Sequence, residues 1–240
     1  MLKRVWWTMV FLAAAVAARA DFAMDLARIH IESLGGLPAV KKFKSMRAEG
    51  VTRVGEQELS FVMWAARPNL IRTEVTDGER VSVQAYDGKG EPWTLDSRIG
   101  KVLRIGGAMG EEFKSDSEFD DPLVQALFKG EVSLDYAGTE TLEGKEVFKV
   151  LVVQRLVDTS FIYVDSETYL IVRRETVARR GKKSARKVTD LADYREVAGV
   201  MMPHRLMMRG EKGILHETIL KKIEANTPAP KDGYGEPVVK

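Results

Sequence analysis

The sequence predicts a mainly β (α+β) fold: a curled antiparallel sheet of about eleven strands, thirteen at most, with a few short helices. Three observations predict it. After Lys44 the chain consists of short runs of valine, threonine, isoleucine and aromatic residues, separated by turns rich in glycine, aspartate and lysine. Each turn is short enough for an antiparallel hairpin. A meander of that many strands does not stay flat and open, so it must curl.

The chain begins "MLKRVWWTMVFLAAAVAARADF". Lys3 and Arg4 give a positive start, Val5 to Ala18 is apolar apart from Thr8, and Ala18 and Ala20 form a small-x-small cleavage pattern ahead of Asp21. This is the grammar of a secretory signal peptide, and the apolar run is shorter than the roughly 20 residues a spanning helix needs. The expected organisation is a signal peptide over 1–20 cut between Ala20 and Asp21, one domain over 21–225, and an irregular tail over 226–240. The expected product is exported, soluble and periplasmic. The tail "NTPAPKDGYGEPVVK" is too rich in proline and glycine for regular structure.

Composition narrows the function. There is no cysteine. Thiol catalysis, thiolate metal sites, disulfides and a lipid-modified N-terminal cysteine are thereby excluded. Lys and Arg number 37 against 35 Asp and Glu; without Lys3, Arg4 and Arg19 the cations fall to 34. The basicity therefore belongs to the leader, and nucleic acid is not an expected partner.

Along the mature chain, "AMDLARIHIESL" (Ala23 to Leu34) has apolar residues at helical spacing and is stopped by Gly35 and Gly36. A second short helix is expected over Pro38–Phe43, with proline in the first turn. Strands follow over Met46–Val54, Glu58–Ala66, Leu70–Thr76, Arg80–Tyr86, Pro92–Asp96 and Lys101–Ile105. "GGAMGEEFKSDSEFDD" lacks alternation and reads as a loop leading to a helix at Pro122–Phe128. Strands resume over Val132–Thr141, Glu146–Leu156, Ser160–Asp165, Leu170–Ala178, Ala185–Glu196, Val200–Met208 and Ile214–Glu224, making one continuous up-and-down sheet.

Alternation assigns faces. Val200, Met202, His204, Leu206 and Met208 share one face, and Met201, Arg205 and Met207 the other. Phe61 and Met63 share a face, with Trp64 opposite; Phe148 and Val150 share another. Four methionines within "MMPHRLMM" suit either an ordinary core or an adaptable apolar surface. On the second reading Phe61, Met63, Phe148, Val150, Met202, Leu206 and Met208 line a hydrophobic cavity. Pro203 suggests an edge strand or a bulge.

No chemistry-bearing motif competes. With Glu211–Lys212 at the turn centre, His204 faces Ile219 and His216 faces Met207, so the two imidazoles do not meet and no metal is expected. Acids cluster in turns; Asp190 and Glu217 are the exceptions within apolar-faced strands, and a glycosidase would need two facing carboxyls. "GGLPAV" and "GGAMG" follow no phosphate-loop pattern, and G-x-S-x-G is missing. No catalytic residue and no cofactor are expected. "RRETVARRGKKSARK" carries eight cations and reads as a solvated hairpin tip, or as a contact for a membrane surface or acidic partner.

The order of "SLGGLPAVKKFKSMRAEG", "ELSFVMWAARPNLIRTEV", "YDGKGEPWTL", "FIYVDSETYLIVRRET" and "DYREVAGVMMPHRL" resembles the outer-membrane lipoprotein-sorting proteins of the LolA/LolB-like superfamily, over Phe22 to Ala225. The resemblance implies an unclosed antiparallel half-barrel with short helices as a lid over a hydrophobic cavity. It implies a monomeric, non-enzymatic carrier for lipidated protein or lipid, working between an inner-membrane donor and an outer-membrane acceptor. It also implies an arginine that holds the lid, for which Arg47, Arg53 and Arg72 lie in comparable early strands. A non-transporting cell-envelope interaction protein with a filled core is the alternative, and an envelope hydrolase a third. Mass analysis of protein from the envelope fraction is expected to give Asp21 as the N-terminus; retention of Met1 removes the periplasmic assignment.

Overall fold

The computed structural model describes residues 19–237, except 97, 129, 131, 155–157, 181–182 and 211–212. Most of the expected signal segment, the Glu211–Lys212 turn centre and the expected end of a strand at Leu156 therefore lie outside the described residues. Helix α1 covers residues 19–33, followed by α2 (Leu37–Lys42), α3 (Gly107–Asp116) and α4 (Pro122–Phe128). The strands are β1 (Ser45–Val54), β2 (Gln57–Ala66), β3 (Leu70–Asp77), β4 (Arg80–Tyr86), β5 (Trp93–Asp96), β6 (Lys101–Arg104), β7 (Val132–Leu142), β8 (Lys145–Gln154), β9 (Asp158–Asp165), β10 (Ile171–Arg180), β11 (Lys183–Val197), β12 (Val200–Gly210) and β13 (Gly213–Ala225).

These thirteen strands form one unclosed antiparallel sheet in the order β6-β5-β4-β3-β2-β1-β13-β12-β11-β10-β9-β8-β7. The expected continuous meander is corrected here. It is broken between β6 and β7, where α3 and α4 intervene, and it is rejoined where β1 pairs with β13. β12 consequently lies inside the sheet, so Pro203 does not mark an edge; the register of β12 against β13 begins two residues later, at Arg205.

The expected loop over Gly107–Asp116 is a helix. Its one buried residue is Gly110, so no apolar stripe announces it. Good helix formers carry it instead (Ala108, Met109, Glu111, Glu112 and Lys114), with Lys114 Nζ 2.9 Å from Glu111 one turn earlier.

The chain divides into two compact units. The first holds Met1–Leu34 and Pro122–Asp190. Here Ala23, Leu26, Ala27 and Ile31 form the buried stripe of α1, and Leu123 and Val124 are buried on α4. Val150, Val152, Ile162 and Val164, which share a sheet face through the β8–β9 register, are at most 1 % exposed. This is a filled core. His30 is buried with them, its Nδ1 2.8 Å from the Tyr169 carbonyl oxygen. The opposite face is polar: Lys149 Nζ lies over the rings of Phe161 and Tyr163, and Arg186 pairs with Glu175, which also accepts from Tyr163.

The second unit holds Gly35–Asp121 and Leu191–Lys240. Gly35 takes φ +119°, and a Cβ there would lie 1.9 Å from the Gly199 carbonyl oxygen. The glycine that ends α1 thus also lets the chain cross the β11–β12 turn at backbone contact.

Beyond Ala225 the described residues form neither helix nor strand, yet they are fastened to the sheet. Asn226 Oδ1 accepts from the Lys44 amide, and the Thr227 carbonyl accepts from Ser45 Oγ. Farther on, Trp93 Nε1 donates to the Tyr234 carbonyl at 3.0 Å and Arg72 Nη1 to that of Gly233 at 3.3 Å. The Arg72 guanidinium lies 5.7 Å from the Trp93 ring centroid, above the buried cluster of Val83, Ala85 and Trp93. Truncation after Thr227 is expected to expose Trp93, shift tryptophan emission to the red and lower the melting temperature by about 5–10 °C, from a loss of about 2–3 kcal/mol. Calorimetry and fluorescence check this; an unchanged melt means that the tail rests on the sheet without stabilising it.

Candidate functional site

In the second unit the paired strands separate two kinds of side chain by alternation. Ala48 lies opposite Met63 and Ile223, Gly50 opposite Phe61 and Leu220, Phe61 opposite Val75, and Leu206 opposite Thr218. Directly opposed residues point to the same side of a sheet. Ala48, Phe61 and Leu220 are buried there, and Met63, Val75, Leu206 and Ile223 pack against them while remaining half-buried. Met202 and Met208 follow Leu206 on that face by the period of two, also half-buried. Gly50 keeps the face low at its centre. A Cβ on Gly50 would stand 2.1 Å from the Ile219 carbonyl oxygen and 3.0 Å from the Phe61 ring. The bulge between Glu49 and Gly50 is what brings the strands this close.

The other side of the same strands is ionic. Arg53 binds Glu58 at 2.9 Å and Glu217 at 3.2 Å, Arg205 binds Glu217 at 2.5 Å, and Arg72 binds Glu74 at 2.8 Å. Arg47 pairs with Glu49 and Glu224, and its guanidinium lies 5.5 Å from the centroid of the Trp64 ring. The Arg205 hydrogen bond, then that of Arg53, holds the Glu217 carboxyl below the usual carboxylate range. A general acid needs the opposite shift. Asp190, the other acid singled out in a strand, pairs with Arg173 in the first unit. Both are ion-pair partners, and Met201, Arg205 and Met207 alternate with the apolar set.

Of the seven residues expected to line a cavity, Phe61, Met63 and Leu206 come together in one cluster, and Met202 and Met208 extend it along β12. Phe148 and Val150 belong to the first unit. Val150 is fully buried in the filled core there, and Phe148 packs with Phe22, Tyr136 and Tyr169 at ring-centroid distances of 5.8, 6.5 and 6.2 Å. The expected hairpin register is off by one: Arg205, not His204, faces Ile219, and Met208, not Met207, faces His216. The reason is a second bulge, between Met208 and Arg209, which shifts the pairing relative to a simple turn. His204 is buried with Nδ1 2.9 Å from the Met202 carbonyl oxygen. Among the described residues no cluster of three or more histidine, aspartate or glutamate side chains could hold a metal ion.

Arg47, Arg53 and Arg72 all point to the ionic side, and each closes on neighbouring strands or on the tail. A different arginine reaches a helix. Arg67, in the β2–β3 turn, donates through Nη1 to the Phe43 carbonyl at 2.7 Å and through Nη2 to that of Val40 at 2.9 Å, at the carboxyl end of α2. The same guanidinium holds the buried Asp120 at 2.6 and 2.8 Å and lies 5.3 Å from the Phe119 ring centroid. One side chain therefore ties α2, the turn and the segment beyond α3. In the sequence Arg67 stands only as part of the turn "RPN"; the signal for its role is an arginine at a turn and an acid-rich stretch, "SEFDD", far along the chain.

No family model matches the sequence, and no curated protein matches it. Solved structures do resemble it. A domain assigned as an outer membrane lipoprotein-sorting protein, from Vibrio parahaemolyticus, superposes with a TM-score of 0.58 at 14 % identity, over 88 % of this chain and 95 % of that one. A DUF1329 family protein from Desulfovibrio piger gives 0.63 at 11 % identity over 88 % and 95 %. A LolA superfamily protein from Nitrosomonas europaea gives 0.59 at 11 % identity over 91 % and 98 %. At such identities the likeness is one of fold: this chain has the unclosed antiparallel fold of the LolA-like proteins.

Proposed function

We propose that the protein is a periplasmic, non-enzymatic carrier that binds the acyl chains of lipidated protein, or of another lipid, on the apolar sheet face around Phe61. The observation that carries this reading is the half-buried ring of Met63, Val75, Leu206 and Ile223 about a buried centre, with Met202 and Met208 beside it. A filled core leaves such residues fully covered, as Val150 and Val152 are in the first unit. An acyl chain on this face loses water at about 0.8 kcal/mol per methylene, and methionine adapts to a mobile ligand. The ion pairs on the other side keep charge away from the ligand. Binding is non-covalent, so release needs a displacement of the cover or transfer to an acceptor. An inner-membrane donor and an outer-membrane acceptor are the partners this implies. The likeness in fold to a lipoprotein-sorting domain supports the reading. The filled core of the first unit favours the alternative, a non-transporting envelope interaction protein.

Arg67 takes the part of the helix-holding arginine. Replacing it leaves Asp120 buried without its cation and frees the carbonyls of α2, a loss of about 3 kcal/mol. In Arg67→Leu, trypsin is expected to cut at Lys41, Lys42 and Lys44 at least about tenfold faster than in the parent. An unchanged digestion rate means that α2 is held by its own packing, and Arg67 loses this role.

Leu206→Glu separates the two readings. On a ligand face the charge abolishes binding of a fluorescent fatty acid, because an unpaired carboxylate beside an acyl chain is costly, while water reaching the face spares the fold. The expected result is lost binding with the melting temperature within about 3 °C of the parent. Unfolding means solid core and supports the alternative. Undiminished binding in a folded variant removes this face from the ligand site.

A further inference from the structure

The row of hairpin tips at one end of the second unit presents an apolar rim, and the structure assigns it to contact with a lipid bilayer. Strand direction alternates along β6-β5-β4-β3-β2-β1-β13-β12, so the strand ends of the pairs β5–β6, β3–β4, β1–β2 and β12–β13 lie at the same end of the sheet. Every one of them carries an exposed aliphatic side chain. Ile99 is 57 % exposed, Val81 39 %, Val54 48 %, and Ile214 and Leu215 54 % and 52 %.

Local structure holds these side chains outward. The Asp96 carbonyl accepts from the amides of Ile99 and Gly100 at 3.1 and 2.9 Å, and Asp96 Oδ1 accepts from that of Arg98, which leaves Ile99 at the crest of a tight turn. Leu215 is the extra residue of the β12–β13 bulge, since Met208 pairs with His216 and Arg209 with Ile214. The bulge therefore turns two consecutive aliphatics to solvent where a regular ladder would turn one inward. At the other end of the same strands the β2–β3 turn is covered, through Arg67, by α2 and Phe119.

The form of the rim selects the occupant. Five half-exposed aliphatics offer a few hundred Å², short of the roughly 800 Å² per partner that a stable protein interface buries. They stand at separate strand ends about 10 Å apart, at two strand spacings each, rather than as one contiguous patch. A fluid surface accepts separate points without needing complementary shape. Of the cations at the same strand ends, Arg53 is held by Glu58 and Glu217 and Arg98 by Asp96, while Arg80, Lys101 and Arg209 stand in the position from which long basic side chains reach a headgroup layer as aliphatics enter it. The acids Glu56, Glu58, Asp77, Glu79 and Asp96 balance these five cations, so the contact is mainly apolar and only weakly dependent on salt. It stands independently of what the protein carries.

Because the chain has no cysteine, single labels are clean reporters. The protein, purified from cells in its native processed form, is labelled with an environment-sensitive dye at Ile99→Cys, or at Lys89→Cys in the β4–β5 link at the other end. It is then mixed with vesicles of phosphatidylethanolamine and phosphatidylglycerol. The Ile99 label is expected to brighten and shift to the blue, and the Lys89 label to stay unchanged. The combined Val54→Ser, Val81→Ser, Ile99→Ser, Ile214→Ser and Leu215→Ser variant is expected to lose vesicle binding by about tenfold with its melt and its fatty-acid binding unchanged. A silent Ile99 label, an equal response at Lys89, or full binding by the variant overturns the assignment. So does binding abolished by salt alone, which moves the contact to the basic β10–β11 hairpin. Undiminished fatty-acid binding in folded Leu206→Glu with the Ile99 response intact is failure of the carrier site alone, and lost fatty-acid binding in that variant with a silent Ile99 label is failure of the rim alone.

Discussion

The pairing of β1 with β13 is the constraint on which the sheet depends. Without it the strands fall into two meanders, β1 to β6 and β7 to β13, that share no ladder. With it, residues 46–53 and 217–225 lie side by side, and the apolar face of β2 and β3 becomes continuous with that of β12 and β13. The contact joins the two ends of the folded region, about 170 residues apart, so it is costly to close and is reinforced locally. Arg47 and Arg53 on β1 reach Glu224 and Glu217 on β13, and Lys44 and Ser45 bind the chain just beyond β13. The bulge at Gly50 allows the close approach of backbones that places Phe61 and Leu220 on either side of one strand.

From that pairing follows the division of labour between the two faces. Strand alternation is strict wherever the register is unbroken, so the arginines and glutamates that reinforce the ladder lie on one side, around the buried Val51 and Val83, while Ala48, Phe61, Met63, Leu206 and Leu220 lie on the other. The tail then covers part of the ionic side over Trp93, where the cation of Arg72 sits between the ring and the Gly233 carbonyl. The apolar face is incompletely covered as well, since Met63, Val75, Leu206 and Ile223 stay half-buried. A sheet that must hold ion pairs on one side can present a greasy surface on the other without placing an unpaired charge against it.

The sequence made the strands legible because alternation and turn chemistry are local signals. The expected strands fall on the observed ones to within a few residues, and Pro122–Phe128 coincides with α4. The short helix α3 was hidden because it buries almost nothing and so has no period. Strand order was hidden because β1·β13 is a relation between distant segments whose sequences carry no mark of each other. The site was half legible for the same reasons. Phe61, Met63 and Leu206 could be assigned to faces strand by strand, and those faces meet. Phe148 and Val150 followed the same local rule but lie in another unit, where an identical apolar pattern means a filled core. Periodicity reports which side of a strand is apolar; it does not report what covers that side.

Arg67 shows the same limit from the other direction. Nothing in "RPN" distinguishes it from Arg72 or Arg53, which lie on regular strands and were easier to compare. Its role comes from position: a turn residue is free of the ladder, so its guanidinium can be spent on carbonyls at the end of α2 and on Asp120 rather than on a cross-strand carboxylate. Arg47, Arg53 and Arg72, on regular strands, are held by alternation to the ionic side and close on neighbouring strands or on the tail. In a fold built from one sheet, a side chain that joins a helix to that sheet is therefore to be sought at the turns, where facing is not imposed by the pleat. Bulges give strands the same freedom, as Leu215 shows at the opposite end of these strands. Regular positions reach the tail, as Arg72 and Trp93 do, but it is a turn residue, Arg67, that joins α2 to the β2–β3 turn.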